Sequence, residues 1–142
     1  MPLDGRANKG HEEGNRGEMM KLTLPWPPSL NQYYRHCVIP LKSGRGRSVT
    51  LISKPGREYR AEVMRIASGG LALSGRLAVT LELYPPDKRA RDVDNHAKAV
   101  LDALTHSGVW GDDSQLDELH IYRREIKRGG ELVVTIEVMD AD

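Results

Sequence analysis

From Leu77 to Leu83 the chain alternates, with Leu77, Val79, Leu81 and Leu83 on one face and Thr80 and Glu82 on the other. That period of two predicts a strand, which Pro85-Pro86 ends. Leu132, Val134, Ile136 and Val138 repeat the pattern. Leu116 to Ile126 reads as a further strand, and Gly129-Gly130 between the two as a hairpin turn. A short strand over Lys21 to Leu24 is stopped by Pro25-Trp26-Pro27-Pro28, which cannot supply a run of ladder N–H groups. Elsewhere the period lengthens. Tyr59, Val63, Ile66 and Ala67 share one side of a helix predicted over Pro55 to Ser68 and ended by Gly69-Gly70. Val93, Ala97, Val100, Leu101 and Leu104 fall at i, i+4, i+7, i+8 and i+11, an apolar stripe that closes at Gly108. Asn31 to Pro55 reads as a loop. Residues 1 to 18 hold four Gly and only Met1, Leu3 and Ala7 as apolar residues, too little to offset ordering entropy, and are expected to form a disordered tail.

The order is therefore β, loop, α, β, α, β, β, with no internal repeat. It predicts an α+β (α/β mixed) fold, one domain over residues 19–142, in which a mixed sheet of about four strands packs against two main helices.

Composition narrows the class. The chain of 142 residues has a lone cysteine, Cys37, which excludes a disulfide framework and a multi-thiolate zinc cluster and fits a reducing compartment. No apolar run approaches the roughly 20 residues of a membrane span, and no signal-peptide core is present, so the expected setting is the cytoplasm, away from the membrane. The formal net charge is only +1, which taken alone argues against nucleic acid. The total, however, is a cancellation. Residues 35 to 65 hold eight bases against two acids, whereas residues 85 to 113 hold four bases against six acids. A basic stretch beside an Asp cluster suits a site that grips a polyanion and places cations on it, although such runs are also commonly solvated faces.

The acidic segment Arg91-Asp92-Val93-Asp94-Asn95-His96-Ala97-Lys98, followed by Asp112-Asp113, carries the candidate chemistry. Asp92 and Asp94 stand two apart where a strand exit becomes a helix start, and Asp94 and Lys98 are spaced i, i+4. Carboxylates placed close together repel. A hard divalent cation relieves that repulsion, Mg²⁺ suiting few carboxylates plus open positions for phosphate oxygens, and Lys98 could then hold such an oxygen. Each residue has a plainer role beside this one. Asp92 or Asp94 could be a helix N-cap, Lys98 with Asp94 an exposed helix pair, and Asp112-Asp113 turn chemistry. A calcium loop read from Asp92 fails, because Ala97 stands where Gly is wanted and Ala103 where the bidentate Glu belongs. His96 and His106 lack a supporting zinc-ligand pattern and read as surface or packing residues.

Four blocks in order, LPWPPSLNQYYR (Leu24 to Arg35), RDVDNHAKAVLDAL (Arg91 to Leu104), GVWGDDSQ (Gly108 to Gln115) and GGELVVTIEVM (Gly129 to Met139), resemble the RusA family of Holliday junction resolvases. The resemblance spans nearly everything from Met20 to Met139. It implies a homodimeric crossover junction endodeoxyribonuclease that, with Mg²⁺ or Mn²⁺, nicks opposing strands of four-way DNA junctions in recombination and repair. It places catalytic and metal-binding carboxylates on Asp92, Asp94 and Asp113, an active-site lysine on Lys98, and supporting roles on Asn95 and Asp112. Arg35, Lys42, Arg45, Arg47, Arg57, Arg60 and Arg91 are then the expected DNA contacts, positioning the backbone more than reading bases. His96 stands where the family pattern calls for an apolar residue, and the segment from Cys37 to Thr50 is longer than usual. Two other classes fit the residues: a non-catalytic junction-binding protein, and a metal-dependent phosphohydrolase acting on nucleotides.

Overall fold

The computed structural model describes residues 16–67 and 72–139. Six strands and three helices follow in the order β1 (Arg16–Leu24), α1 (Leu30–Tyr33), β2 (Tyr34–Pro40), β3 (Gly46–Ile52), α2 (Lys54–Ala67), β4 (Leu77–Tyr84), α3 (Ala97–His106), β5 (Leu116–Arg123) and β6 (Glu131–Met139). Strands β1, β6, β4 and β5, in that order, form a mixed sheet: β6 is antiparallel to both β1 and β4, and β5 is parallel to β4. The predicted α+β class with a four-stranded mixed sheet and two main helices is what is found. No helix among the described residues is long and apolar enough to cross a membrane.

The alternation seen in the sequence builds the core. Leu77, Val79, Leu81 and Leu83 of β4 and Leu132, Val134 and Ile136 of β6 are buried on one face of the sheet. They pack against Tyr59, Val63 and Ala67 of α2 and Val100, Ala103 and Leu104 of α3, with Trp110 and Val109 closing the end. Fully burying one such aliphatic side chain is worth about 1.5–3 kcal/mol, so this single interface supplies most of what holds the helices on the sheet. On the reverse face, Lys21, Thr135, Thr80 and His120 lie in one row across the four strands, the polar half of the same alternation.

Four expectations need correction. Asn31 to Pro55 is not a loop: it holds α1 and a β2–β3 hairpin paired from Tyr34↔Ile52 to Pro40↔Gly46. This hairpin forms its own two-stranded sheet and leaves most of its side chains exposed, so no buried face imposed an alternating pattern on its sequence. Gly129-Gly130 is a turn, both residues at positive φ (85° and 76°), but not a hairpin turn. Strand β4 lies between β5 and β6, and the connection crosses its end, where Arg124 N–H donates to Leu83 O at 2.7 Å and Lys127 N–H to Pro85 O at 2.8 Å. A Cβ on Gly130 would come within 2.8 Å of Trp26 Cβ, so that packing requires glycine. The third helix starts at Ala97, which leaves Val93 in a preceding turn with 39% exposure rather than in the apolar stripe. Finally, β1 begins at Arg16, earlier than the predicted Lys21, and β5 stops at Arg123, short of Ile126. Of the expected tail over residues 1–18, residues 16–18 belong instead to β1, and residues 1–15 lie outside the described residues, as does the Gly69-Gly70 helix stop.

Candidate active site

In the segment between β4 and α3, Asp87 is paired with Arg91, whereas the two aspartates nearer the helix are free while their backbone is tied down. Asn95 O accepts the Leu30 N–H at 2.9 Å, and Asp92 O accepts the Asn95 N–H at 3.1 Å, so the loop is tied to α1 through backbone. His96 is buried, with Nδ1 3.0 Å from Pro27 O and its ring 4.8 Å from the Trp26 ring. Burial lowers its pKa against two backbone contacts that raise it. It is a packing histidine, one of the two roles the sequence left for it. Neither Asp92 nor Asp94 caps α3, because the N-cap position is His96 and has no side-chain cap bond. Both aspartates are exposed. Among the described residues neither their carboxylates nor the Lys98 ammonium makes a side-chain hydrogen bond or ion pair, so the helix-cap and helix-pair readings both fall away.

Asp112 and Asp113 separate into two roles. Asp112 caps a short 3₁₀ turn (Asp113–Gln115), accepting from Ser114 N at 3.1 Å and from the Ser114 hydroxyl, while Gln115 Oε1 accepts from Gly111 N and Asp112 N at 2.8 and 3.0 Å. The Ser114 hydroxyl and N–H lower the Asp112 pKa. Asp112 is thus turn chemistry. Asp113 instead faces α3: its Oδ1 accepts from the Thr105 hydroxyl and from Trp110 Nε1 at 3.4 Å, and that same indole N–H donates to Thr105 Oγ1 at 2.6 Å. With Trp110 buried, Asp113 is pinned to the C-terminal half of the helix.

Along α3, Lys98, Asp102 and Thr105 fall at i, i+4 and i+7 on one side. From Ala97 to Thr105 is roughly 12 Å of helix. Asp113 therefore stands at the far end from Asp94, and no group of three His, Cys, Asp or Glu close enough to hold a metal exists among the described residues. The sequence grouped Asp92, Asp94 and Asp113; the folded chain brings Asp92, Asp94 and Lys98 to one end of α3 and Asp113 to the other.

Between them lies Asp102, which sequence reading passed over. Its Oδ2 accepts from Arg60 Nη2 at 2.7 Å, Arg60 Nε at 3.1 Å and the phenol of buried Tyr33. Burial raises the Tyr33 pKa and the Asp102 bond raises it further. Burial works against the Arg60 charge, but the bonds to Asp102 and Tyr33 outweigh it and raise the Arg60 pKa. The neighbouring Tyr34 phenol is shifted upward by burial first, then by Asp102 and Asp113 against Arg60. The base of the hairpin therefore sits beside these acids. The one signal in the sequence was the four-residue spacing Asp94, Lys98, Asp102; the partners, Tyr33 and Arg60, lie 69 and 42 positions away.

The expected DNA contacts divide likewise. Arg35, Lys42, Arg45 and Arg47 are exposed on the β2–β3 hairpin, which has no acidic residue between Tyr34 and Ile52. Arg57 Nη1 donates to Ile52 O at 2.9 Å and has no ion pair among the described residues. Arg60 is held by Asp102. Arg91 pairs with Asp87 at 2.9 Å, lies 5.6 Å from the Trp26 ring centre and is only 17% exposed. Neither is a free cation.

Comparison with known proteins gives one consistent result. Residues 25–138 match the family described as Endodeoxyribonuclease RusA. The crossover junction endodeoxyribonuclease rusA of Enterobacteria phage 82 is 42% identical over 121 residues, 83% of this chain and 93% of the relative. The proteins of the same description from Shigella sonnei (strain Ss046) and Escherichia coli (strain K12) are 41% and 40% identical, each over 83% of this chain and 93% of their own length.

Proposed function

The chain belongs to the RusA endodeoxyribonuclease family, and on that premise we propose that it is a crossover junction endodeoxyribonuclease, a resolvase of branched DNA in recombination and repair. The observation that carries this beyond family membership is spatial. Asp92, Asp94 and Lys98 are exposed, without a side-chain partner among the described residues, and gathered at one end of α3, in a molecule whose β2–β3 hairpin is basic without a single acid. Its substrate is four-way junction DNA. A homodimer suits it, because a twofold protein sets two identical sites against the equivalent strands of a junction. The nuclease domain takes in β1 from Arg16 onward and works in the cytoplasm, away from membranes.

The donor set fits a hard divalent cation: carboxylate oxygens only, with those of Asp92 and Asp94 uncommitted. Asp92, Asp94 and Asp113 would hold Mg²⁺, with Mn²⁺ as substitute. When bound, such a cation supplies an activated water and neutralises phosphate charge. The chain's own residues do the rest. Lys98 binds a non-bridging phosphate oxygen and stabilises the charge that builds on it. Thr105 and Trp110 orient the Asp113 carboxylate through its Oδ1, Asn95 fixes the loop that carries Asp92 and Asp94, and Asp112 shapes the turn that presents Asp113. Arg35, Lys42, Arg45, Arg47 and Arg57 hold backbone phosphates.

The test uses purified protein, a synthetic four-way junction and a linear duplex, each with and without Mg²⁺. Paired, symmetric nicks on the junction alone, only with Mg²⁺, are expected. Junction binding without nicking would leave a binding protein, and release of mononucleotide phosphate without strand scission would leave a phosphohydrolase.

A further inference from the structure

Lys98 has an acid four residues to either side, Asp94 before it and Asp102 after it. On a helix, a lysine and an aspartate four apart have Cβ atoms about 6 Å from one another and readily pair. Asp102 lies within the same helix as Lys98, yet the Lys98 ammonium makes no ion pair among the described residues. At Asp102 a single oxygen, Oδ2, takes two N–H groups of Arg60 and the Tyr33 hydroxyl, so a guanidinium already compensates this carboxylate's charge. Arg60 Nε also reaches the Tyr33 oxygen at 3.0 Å, closing a three-membered network. Its members come from three elements, Tyr33 from α1, Arg60 from α2 and Asp102 from α3. The side chains of Arg60 and Asp102 are 23% and 27% exposed, so the pair is sheltered while Lys98 is open to solvent.

We propose that Arg60 and Tyr33 are positioning residues: they sequester the Asp102 carboxylate, so that the Lys98 ammonium stays free for the substrate phosphate. This rests on the reading of Lys98 as the phosphate-binding lysine. Without Arg60, a half-buried carboxylate is left without its cation, and Lys98 is the cation within helix reach. Captured Lys98 no longer meets phosphate, and bare Asp102 repels it. The role differs from that of a DNA-binding arginine, which would act on affinity and not through a neighbouring acid.

Junction cleavage by the full chain with Mg²⁺ tests it, read as kcat and as Kd in EDTA over a salt series. Arg60→Ala should slow kcat about ten- to hundredfold, the loss expected for one charge-assisted contact, with Kd and its salt slope unchanged. Arg60→Ala/Asp102→Ala should recover to within about threefold of wild type, because the acid that captures Lys98 is gone. Lys98→Ala added to Arg60→Ala should cost little more. A double variant as slow as Arg60→Ala overturns the proposal, as does a loss confined to Kd with a shallower salt slope. Arg60→Lys, which keeps a cation beside Asp102, guards against misfolding of the alanine variant: it should retain most of the activity, and full loss there also overturns the proposal. If Lys98→Ala cleaves at the wild-type rate, the reading of Lys98 fails. If Lys98→Ala is inactive and Arg60→Ala fully active, the positioning role alone fails.

Discussion

Neutralising the hairpin gives the sharpest numerical test of where DNA sits. Arg35, Lys42, Arg45 and Arg47 project from β2–β3 with no acid on the same hairpin, so each is free to neutralise one phosphate. Each phosphate neutralised on duplex DNA contributes about −0.9 to the slope of log affinity against log salt, so four cations give roughly −3.6 per protomer. Between 50 and 200 mM salt that slope weakens binding about 150-fold per protomer. Replacing Arg45 and Arg47 by Gln should take about 1.8 off the measured slope, halving the hairpin's share to about −1.8 and its part of the loss to roughly twelvefold. Both residues are exposed and paired with no acid among the described residues, so stability should move by less than about 0.5 kcal/mol. The assay is fluorescence anisotropy of a labelled four-way junction in EDTA, which keeps cleavage and Mg²⁺ competition out of the titration. An unchanged slope in the Arg45→Gln/Arg47→Gln protein would refute the hairpin as the DNA-gripping surface, whatever its effect on cleavage.

Two further outcomes separate residues that look alike in the sequence or depend on pH. Asp113→Asn keeps the shape that Thr105 and Trp110 hold and should drop junction cleavage below about a hundredth of the wild-type rate with little change in Tm; Asp112→Ala should instead cost about 1 kcal/mol, or about 3–4 °C in Tm, with most activity retained. The reverse pattern in paired melting and cleavage measurements would exchange the two roles. Tyr33 and Tyr59 both have phenol pKa values raised by burial above the ordinary 10.0. A group raised in the folded state adds stability that is complete below its unfolded pKa and is lost as pH climbs from there through its folded pKa, so Tm should fall steeply above about pH 10. Tyr59→Phe, which also removes the 2.9 Å bond from the Tyr59 hydroxyl to Pro25 O, should flatten that fall; an equally steep decline in the variant would argue against a buried, protonated phenol.

What could be read from the sequence follows from which interactions were local. The alternation of Leu77 to Leu83 and the Tyr59, Val63, Ala67 stripe report burial directly, and the corresponding strand and helix formed where expected. The hairpin left no such trace, because its strands satisfy each other's backbone and press few side chains into the core. Gly129-Gly130 carries a turn signal but not a partner: inserting β4 between β5 and β6 is a choice made by the whole sheet. At the site, Asp92, Asp94, Asp113 and Lys98 stood out by motif, but their grouping did not, since the Thr105 and Trp110 contacts that hold Asp113 at the far end of α3 have no signature. Asp102 escaped notice for a similar reason. One carboxylate on a helix is unremarkable until Arg60 and Tyr33 arrive from distant segments.

The position of β6 affects how the molecule is made as well as how it stands. Among the described residues β6 is the last strand to be synthesised, yet it sits between β1, the first, and β4. A nascent chain that has emerged only as far as Gly130 has a β1 with no neighbour in the four-stranded sheet and a β4 open along one edge. Unpaired apolar edges of this kind invite association with other chains. Until Glu131 to Met139 leaves the ribosome, one edge of β4 and the whole of β1 lack the ladder partner that β6 supplies to both. Translation that stalls within those last residues should therefore yield aggregates in place of a shortened but soluble nuclease.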